Sequence, residues 1–133
     1  MARKRLPPDD PREWLNRARS NLACASARIP EAYLEDLCFD AQQAAEKALK
    51  AVFIHRKLAF PYLHDLGKLL TVLEEAGLKI PKYVRQAERL TRFAVEARYP
   101  GLSDPVTPRQ YRKTLRIAES ILRWATRQID SPL

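Results

Sequence analysis

Apolar positions recur along this chain at intervals of three and four, not two, so the pattern predicts helices and no strands. The most regular stretch lies between Tyr33 and Arg56, where Ala41, Ala44, Ala45, Ala48 and Ala51 repeat at that spacing. One side of this helix has almost no side-chain bulk, and neighbouring backbones can approach it closely. The span holds no Gly or Pro and is rich in strong helix formers, so it is the longest helix expected and the one the others pack around. Gln42, Gln43, Glu46, Lys47 and Lys50 sit among the alanines. Glu46 with Lys50 reads as a favourably oriented i,i+4 ion pair worth about 0.2–0.5 kcal/mol.

The flanking pattern predicts four more helices. Asp10-Pro11-Arg12-Glu13 has an N-cap, a proline at the first helical position and a glutamate three residues after the cap, the signature of a capping box. Trp14, Leu15, Ala18, Leu22, Ala25 and Ile29 then mark one buried face, and Pro30 ends the helix. Residues 57–65 carry aromatics and a proline without a sustained period, which predicts a loop that packs. Leu66, Leu69, Leu70 and Leu73 define a third helix stopped by Gly77. Pro81 opens a fourth, with Val84, Ala87, Leu90 and Ala94 facing inward. It ends near Arg98, because Tyr99 precedes Pro100 and is pushed out of the helical region.

Thr107-Pro108-Arg109-Gln110 is a second capping box and starts the fifth helix at 108. Its residues Tyr111, Leu115, Ala118, Leu122, Ala125 and Ile129 form a heptad seam, with Ile117, Ile121 and Trp124 as a second apolar strip beside it. Two strips exceed what a monomeric bundle needs, which predicts a partner surface, most simply an isologous homodimer; a wider intramolecular core is the alternative. The expected architecture is all-α, an up-and-down helical bundle of four to five helices.

A chain of 133 residues fits one domain. Residues 1–9 read as a flexible basic tail without apolar periodicity, and 10–130 as a single helical domain. Cys24 and Cys38 both fall inside helical patterns and read as small buried hydrophobes, which fits a reducing cytoplasm. No stretch approaches the roughly 18 apolar residues of a membrane span, and no apolar segment follows the basic N-terminus. The expected setting is cytoplasmic, with no membrane. The chain has 24 basic and 16 acidic residues, a formal charge of +8. That balance favours a polyanionic partner, whether RNA, DNA or a nucleotide phosphate; a surface rich in ion pairs is the competing reading.

Candidate chemistry narrows this further. His55 and His64 are the only histidines, and neither has a Cys or carboxylate at zinc-ligand spacing. Three glycines form no phosphate loop, and no Ser/His/Asp order is assignable. No metal, cofactor or catalytic residue is expected. Two basic rows stand out: Lys82, Arg85, Arg89 and Arg92 on the fourth helix, and Arg109, Arg112, Lys113, Arg116, Arg123 and Arg127 on the fifth. Arg85 and Arg89 repel one another at i,i+4 unless an anion relieves them. The alternative is a solvated face neutralised by Glu88 and Glu96. His64-Asp65-Leu66 lies just before the third helix, where capping by either polar residue is the commoner explanation for such residues. Arg98-Tyr99-Pro100-Gly101 can present a guanidinium and a phenol to a phosphate or base; an Arg98–Asp104 ion pair stapling the loop is the alternative.

The combination of Trp14, CFDAQQAAEKALKAV on the second helix, His64-Asp65-Leu66 and ARYPG after the fourth, spanning residues from about 10 to 129, resembles the small prokaryotic HEPN-domain proteins. The resemblance implies an up-and-down bundle, a homodimer, and a separate minimal nucleotidyltransferase as partner in a toxin-antitoxin-like two-gene system. It also implies nucleotide or RNA binding, and some members are toxin ribonucleases. Those ribonucleases carry Arg, four to six residues, then His, often extended to Arg-x4-His-x-Tyr. Here Arg92 and Tyr99 match, and Ala97 stands at the histidine. A methyl group cannot transfer a proton, so family-type cleavage of RNA is not expected.

What the resemblance leaves is a binding set. Arg92 and Arg98 are anion contacts, Tyr99 a stacking or acceptor group, and His64, Lys47, Gln43 and Asp40 neighbours carried over from the family pattern. A metal-independent ribonuclease using His64 as its base is one alternative, and a purely structural dimerisation bundle is another.

Overall fold

A computed structural model describes residues 4–131. The first three residues of the expected tail lie outside the described residues. Among those described, every regular element is helical: α1 (Pro11–Ser26), α2 (Leu34–His55), α3 (Leu66–Glu75), a short α4 (Lys82–Arg85), 3-10 helices at Gln86–Phe93 and Glu96–Arg98, and α5 (Pro108–Asp130). The all-α bundle expected from the periodicity is the observed fold. α2 is its axis, 22 residues and roughly 33 Å long. It touches α1, α3, both 3-10 helices and α5. The five alanines are completely buried, as are Leu49, Val52 and Phe53 on the same helix. Of the two cysteines only Cys38 is buried; Cys24 lies on the exposed side of α1, away from its packed face.

The helix ends follow their sequence signals with two departures. Asp10 caps α1 by accepting from the Arg12 amide at 2.9 Å, but the expected capping box does not close. Glu13 instead turns back to accept from the Leu6 amide at 3.0 Å and from Arg17 Nε at 2.8 Å. The Leu6 amide and the Arg17 guanidinium hold the Glu13 carboxyl below its usual range. With Trp14 Nε1 donating to the Pro8 carbonyl at 2.7 Å, the segment before α1 is tied to the helix at two points. α1 also stops at Ser26 instead of reaching Pro30, and Ile29 is half exposed, outside the helix. The buried Tyr111 hydroxyl of α5 donates to the Ala25 carbonyl at 2.6 Å, satisfying an oxygen that the ended helix leaves open.

α3 ends as expected. Gly77 takes φ +100°, Leu78 N–H bonds the Leu73 carbonyl and Gly77 N–H the Glu74 carbonyl, the paired bonds of a Schellman cap. The loop before α3 packs, with Phe60 edge-on to Phe53 at 5.2 Å between centroids. At α5 both halves of the Thr107–Gln110 capping box are present.

Two larger expectations fail. Residues 82–98 do not form one α-helix: a single α-turn gives way to 3-10 geometry, and Val95 (φ −133°, ψ −67°) breaks the run before Glu96. Buried Val84, Ala87, Leu90 and Phe93 are spaced by three, and in a 3-10 helix residues three apart eclipse, so all four stack on the core. The second failure concerns α5. Ile121 and Trp124 are buried, Ile117 is half-buried, and the heptad seam is buried or half-buried beside them. Both strips pack on this chain's own α2 and α1, the wider intramolecular core that was the alternative, with Leu115, Ile117 and Ile129 only partly buried.

Candidate functional site

The solvent side of α2 carries three of the seven residues expected to bind, and each is held by a polar partner. Asp40 Oδ1 accepts from Asn21 Nδ2 at 3.1 Å, and Lys47 Nζ donates to Asn21 Oδ1 at 2.6 Å, so α1 contributes the residue that links them. Burial and then the nearby Arg17 charge lower the Lys47 pKa from its ordinary value. Gln43 donates to Gln42, buried Gln42 donates to Glu46 Oε1, and His64 Nδ1 lies 2.9 Å from that same oxygen. Glu46 therefore pairs with His64 and not with Lys50. The Lys50 ammonium sits over the Trp14 ring at 5.0 Å and the Phe60 ring at 4.5 Å.

Arg98 joins this face through Phe39, one helical turn before Gln43. Its guanidinium lies 4.1 Å from the Phe39 ring centroid, and Nη1 donates to the Ala94 carbonyl at 3.1 Å. The Arg98–Asp104 staple is not formed; the 99–106 loop is fixed instead by Val106 N–H donating to Glu35 Oε1 at 2.6 Å. Arg98 and exposed Tyr99 border a cleft of about 390 Å³ lined also by Tyr33, Glu35, Asp36 and Asp104. Three carboxylates against one guanidinium make this corner inhospitable to a phosphate.

Arg92 stands apart from the other six. It lines a separate cleft of about 220 Å³ between the 86–93 3-10 helix and α5, with Arg89, Lys113 and Gln110 at its polar rim and Leu90, Phe93 and Ile117 among its apolar lining. The 3-10 geometry explains the grouping. Residues three apart share a face, so Arg85, Glu88 and Thr91 turn to α3 while Arg89 and Arg92 turn together to α5. On the α3 side, Arg85 donates to the Gly67 carbonyl, Thr71 Oγ1 and Glu74 Oε1, and Thr91 Oγ1 accepts from the Leu66 amide. Glu88 also crowds Gly67 of α3, its Oε2 lying 3.0 Å from where a Cβ would stand.

The model of the HEPN domain matches residues 11–129. The chain belongs to the HEPN-domain family. Among solved structures, it is similar to TT1696 from Thermus thermophilus, at 29% identity and a TM-score of 0.80, over 90% of this chain and 98% of that one. It is also similar to ST0689, an archaeal HEPN homologue, at 26% identity and a TM-score of 0.71, over 96% of this chain and 99% of the other. No match was found among curated proteins.

In the HEPN frame the position of Ala97 is informative. Ala97 is 5% exposed and belongs to the core, on the far side of the Val95 break from Arg92. An imidazole at this position would point into packed side chains. Sequence reasoning missed Asn21 as the bridge from α1, and it missed that Arg89 and Lys113 face one another. The three-residue spacing of Val84, Ala87, Leu90 and Phe93 was the available signal for the second.

Proposed function

We propose that this HEPN protein is a non-catalytic nucleotide- or RNA-binding module acting as a homodimer with a separate minimal nucleotidyltransferase in a toxin-antitoxin-like two-gene system. The observation that carries the reading is buried Ala97 at the position of the family histidine: the Arg92 guanidinium has no proton-transfer group in the frame where the ribonucleases keep one. Formal charge +8 and the family supply the binding half. Arg98 and Tyr99, with Asp40, Gln43, Lys47 and His64 nearby, are the residues carried over from the family pattern. The dimer interface then lies outside the inner strips of α5.

Purified protein is expected to leave a mixed RNA pool intact, and fluorescence anisotropy with a labelled RNA oligomer is expected to give an affinity that falls with salt by about 0.7 in log K per unit log salt for each phosphate contacted. Absence of binding at low salt overturns the reading. With the partner and ATP, exposed Tyr99 is the hydroxyl expected to be modified, and mass spectrometry finding label elsewhere removes that part.

One observation favours a second reading, a metal-independent ribonuclease. His64 is exposed and its ring nitrogen is oriented by Glu46, the carboxylate–imidazole arrangement of a general base. Cleavage by the wild type that survives EDTA and is lost in His64→Ala decides for it.

A further inference from the structure

The cationic side chains of this protein divide into those with partners and those without. Arg12 pairs with Asp10, Arg17 with Glu13, Arg85 with Glu74 and Arg123 with Glu119, and Arg127 donates to the Tyr83 hydroxyl. Arg89, Arg92 and Lys113 have no hydrogen-bond or salt-bridge partner among the described residues, and the Arg92 guanidinium lies 4.7 Å from the ring centroid of its neighbour Phe93. These three converge on the 220 Å³ cleft, and no carboxylate lines it. Three like charges around one concavity, over an apolar floor of Leu90, Phe93 and Ile117, make a positive patch that an anion would neutralise.

We propose that this cleft is the phosphate site of the protein, with Arg89 and Arg92 holding the anion from the 3-10 wall and Lys113 from α5, and that the Arg98–Tyr99 corner is not. The inference rests on the nucleotide- or RNA-binding reading and deepens it by naming the site and the group it takes. Two arginines three residues apart share one face of the 3-10 helix and line the cleft from that wall, where guanidinium N–H donors suit phosphate oxygens, and the lysine of α5 supplies a point charge. The Gln110 carbonyl oxygen is occupied by the Thr107 amide, so its NH2 group is the end left to donate. Thr114, also lining the cleft, is turned to the buried Cys38 thiol, whose pKa burial pushes up to about 11, so it adds no charge to the site.

Size selects the group. The cleft is smaller than the roughly 300–1,000 Å³ of pockets that enclose a drug-sized molecule, so it fits a phosphate with the rest of the ligand outside. A phosphodiester in a single-stranded RNA and the phosphates of a free nucleotide share this chemistry.

The experiment measures anisotropy of a labelled single-stranded RNA oligomer and, separately, of a labelled ATP, against wild type, Arg89→Gln, Lys113→Gln, Arg98→Ala and Lys79→Gln. Lys79 lies on the α3–α4 loop and serves as a control of equal charge loss. Arg89→Gln and Lys113→Gln are each expected to weaken binding about tenfold, the loss of a charge-assisted hydrogen bond. Each lowers the salt slope for RNA by about 0.7, and Lys79→Gln stays within about twofold of wild type. Loss for RNA assigns the site to an RNA chain; loss for ATP alone assigns it to a free nucleotide, and both support the proposal. If wild type binds but Arg89→Gln and Lys113→Gln behave as Lys79→Gln while Arg98→Ala weakens binding, the cleft is overturned and the binding-module reading stands. If wild type binds neither probe, both fall.

Discussion

Helix α5 and the 82–98 segment face each other across the basic cleft, and both carry arginines at helical spacing, yet only α5 is a regular helix. α5 has 23 residues, a complete capping box and a deep apolar strip that locks it against α2 and α1. The 82–98 segment has no side-chain N-cap on any of its three pieces, and it meets α3 through a row of side-chain bonds. A strong cap and a wide apolar face hold α-geometry; a narrow apolar row spaced by three, with Arg85 and Thr91 drawn to α3, tightens the turn to 3-10. The same charge pattern thus gives a largely solvated row on α5, with Lys113 at the cleft, and, opposite it, two arginines lining the same cleft.

The comparison breaks most sharply at Trp124. Trp124→Glu buries an unpaired carboxylate in the strip that locks α5 and is expected to cost about 4 kcal/mol or more, leaving a chain unfolded by circular dichroism. A folded variant that only loses self-association would make the strip an interface and α5 no better anchored than its neighbour.

Ala97→His is the next largest. Adding an imidazole to a packed position is expected to cost about 1–3 kcal/mol in urea unfolding and to yield no RNA cleavage. Unchanged stability together with new cleavage would mean the segment is a conventional helix presenting this residue to solvent.

The smallest effect separates two arginines of the same row. Arg85→Ala removes the bonds to α3 and is expected to cost about 1–2 kcal/mol in stability, whereas Arg89→Ala stays within about 0.5 kcal/mol, because it holds nothing in the fold. Equal losses in denaturant titrations would erase the division between structural and unpartnered cations.

The fold was largely legible because its signals are local. The alanine repeat of α2, Gly77 after α3 and Thr107–Gln110 before α5 each specify their element through steric bulk, a left-handed φ and two reciprocal hydrogen bonds, none of which depends on a distant residue. The site was legible only in part. Asp40, Gln43 and Lys47 share a face by helical spacing alone, but the links through Asn21, and from Glu46 to His64, join residues far apart in sequence. The Glu46–Lys50 pair was a sound local expectation that lost to tertiary partners, because Trp14 and Phe60 offer the ammonium two aromatic faces and His64 offers the carboxylate a closer group.

By itself, the sequence determined five helical segments, the axial helix, the charge excess, the alanine in the histidine's position and the membership those residues imply. Tertiary structure decided which arginines have partners. Arg85, Arg89 and Arg92 are alike in the sequence, and they diverge because packing against α3 and α5 sets the segment's turn at three residues, which puts the first on a neighbouring helix and the other two in one cleft.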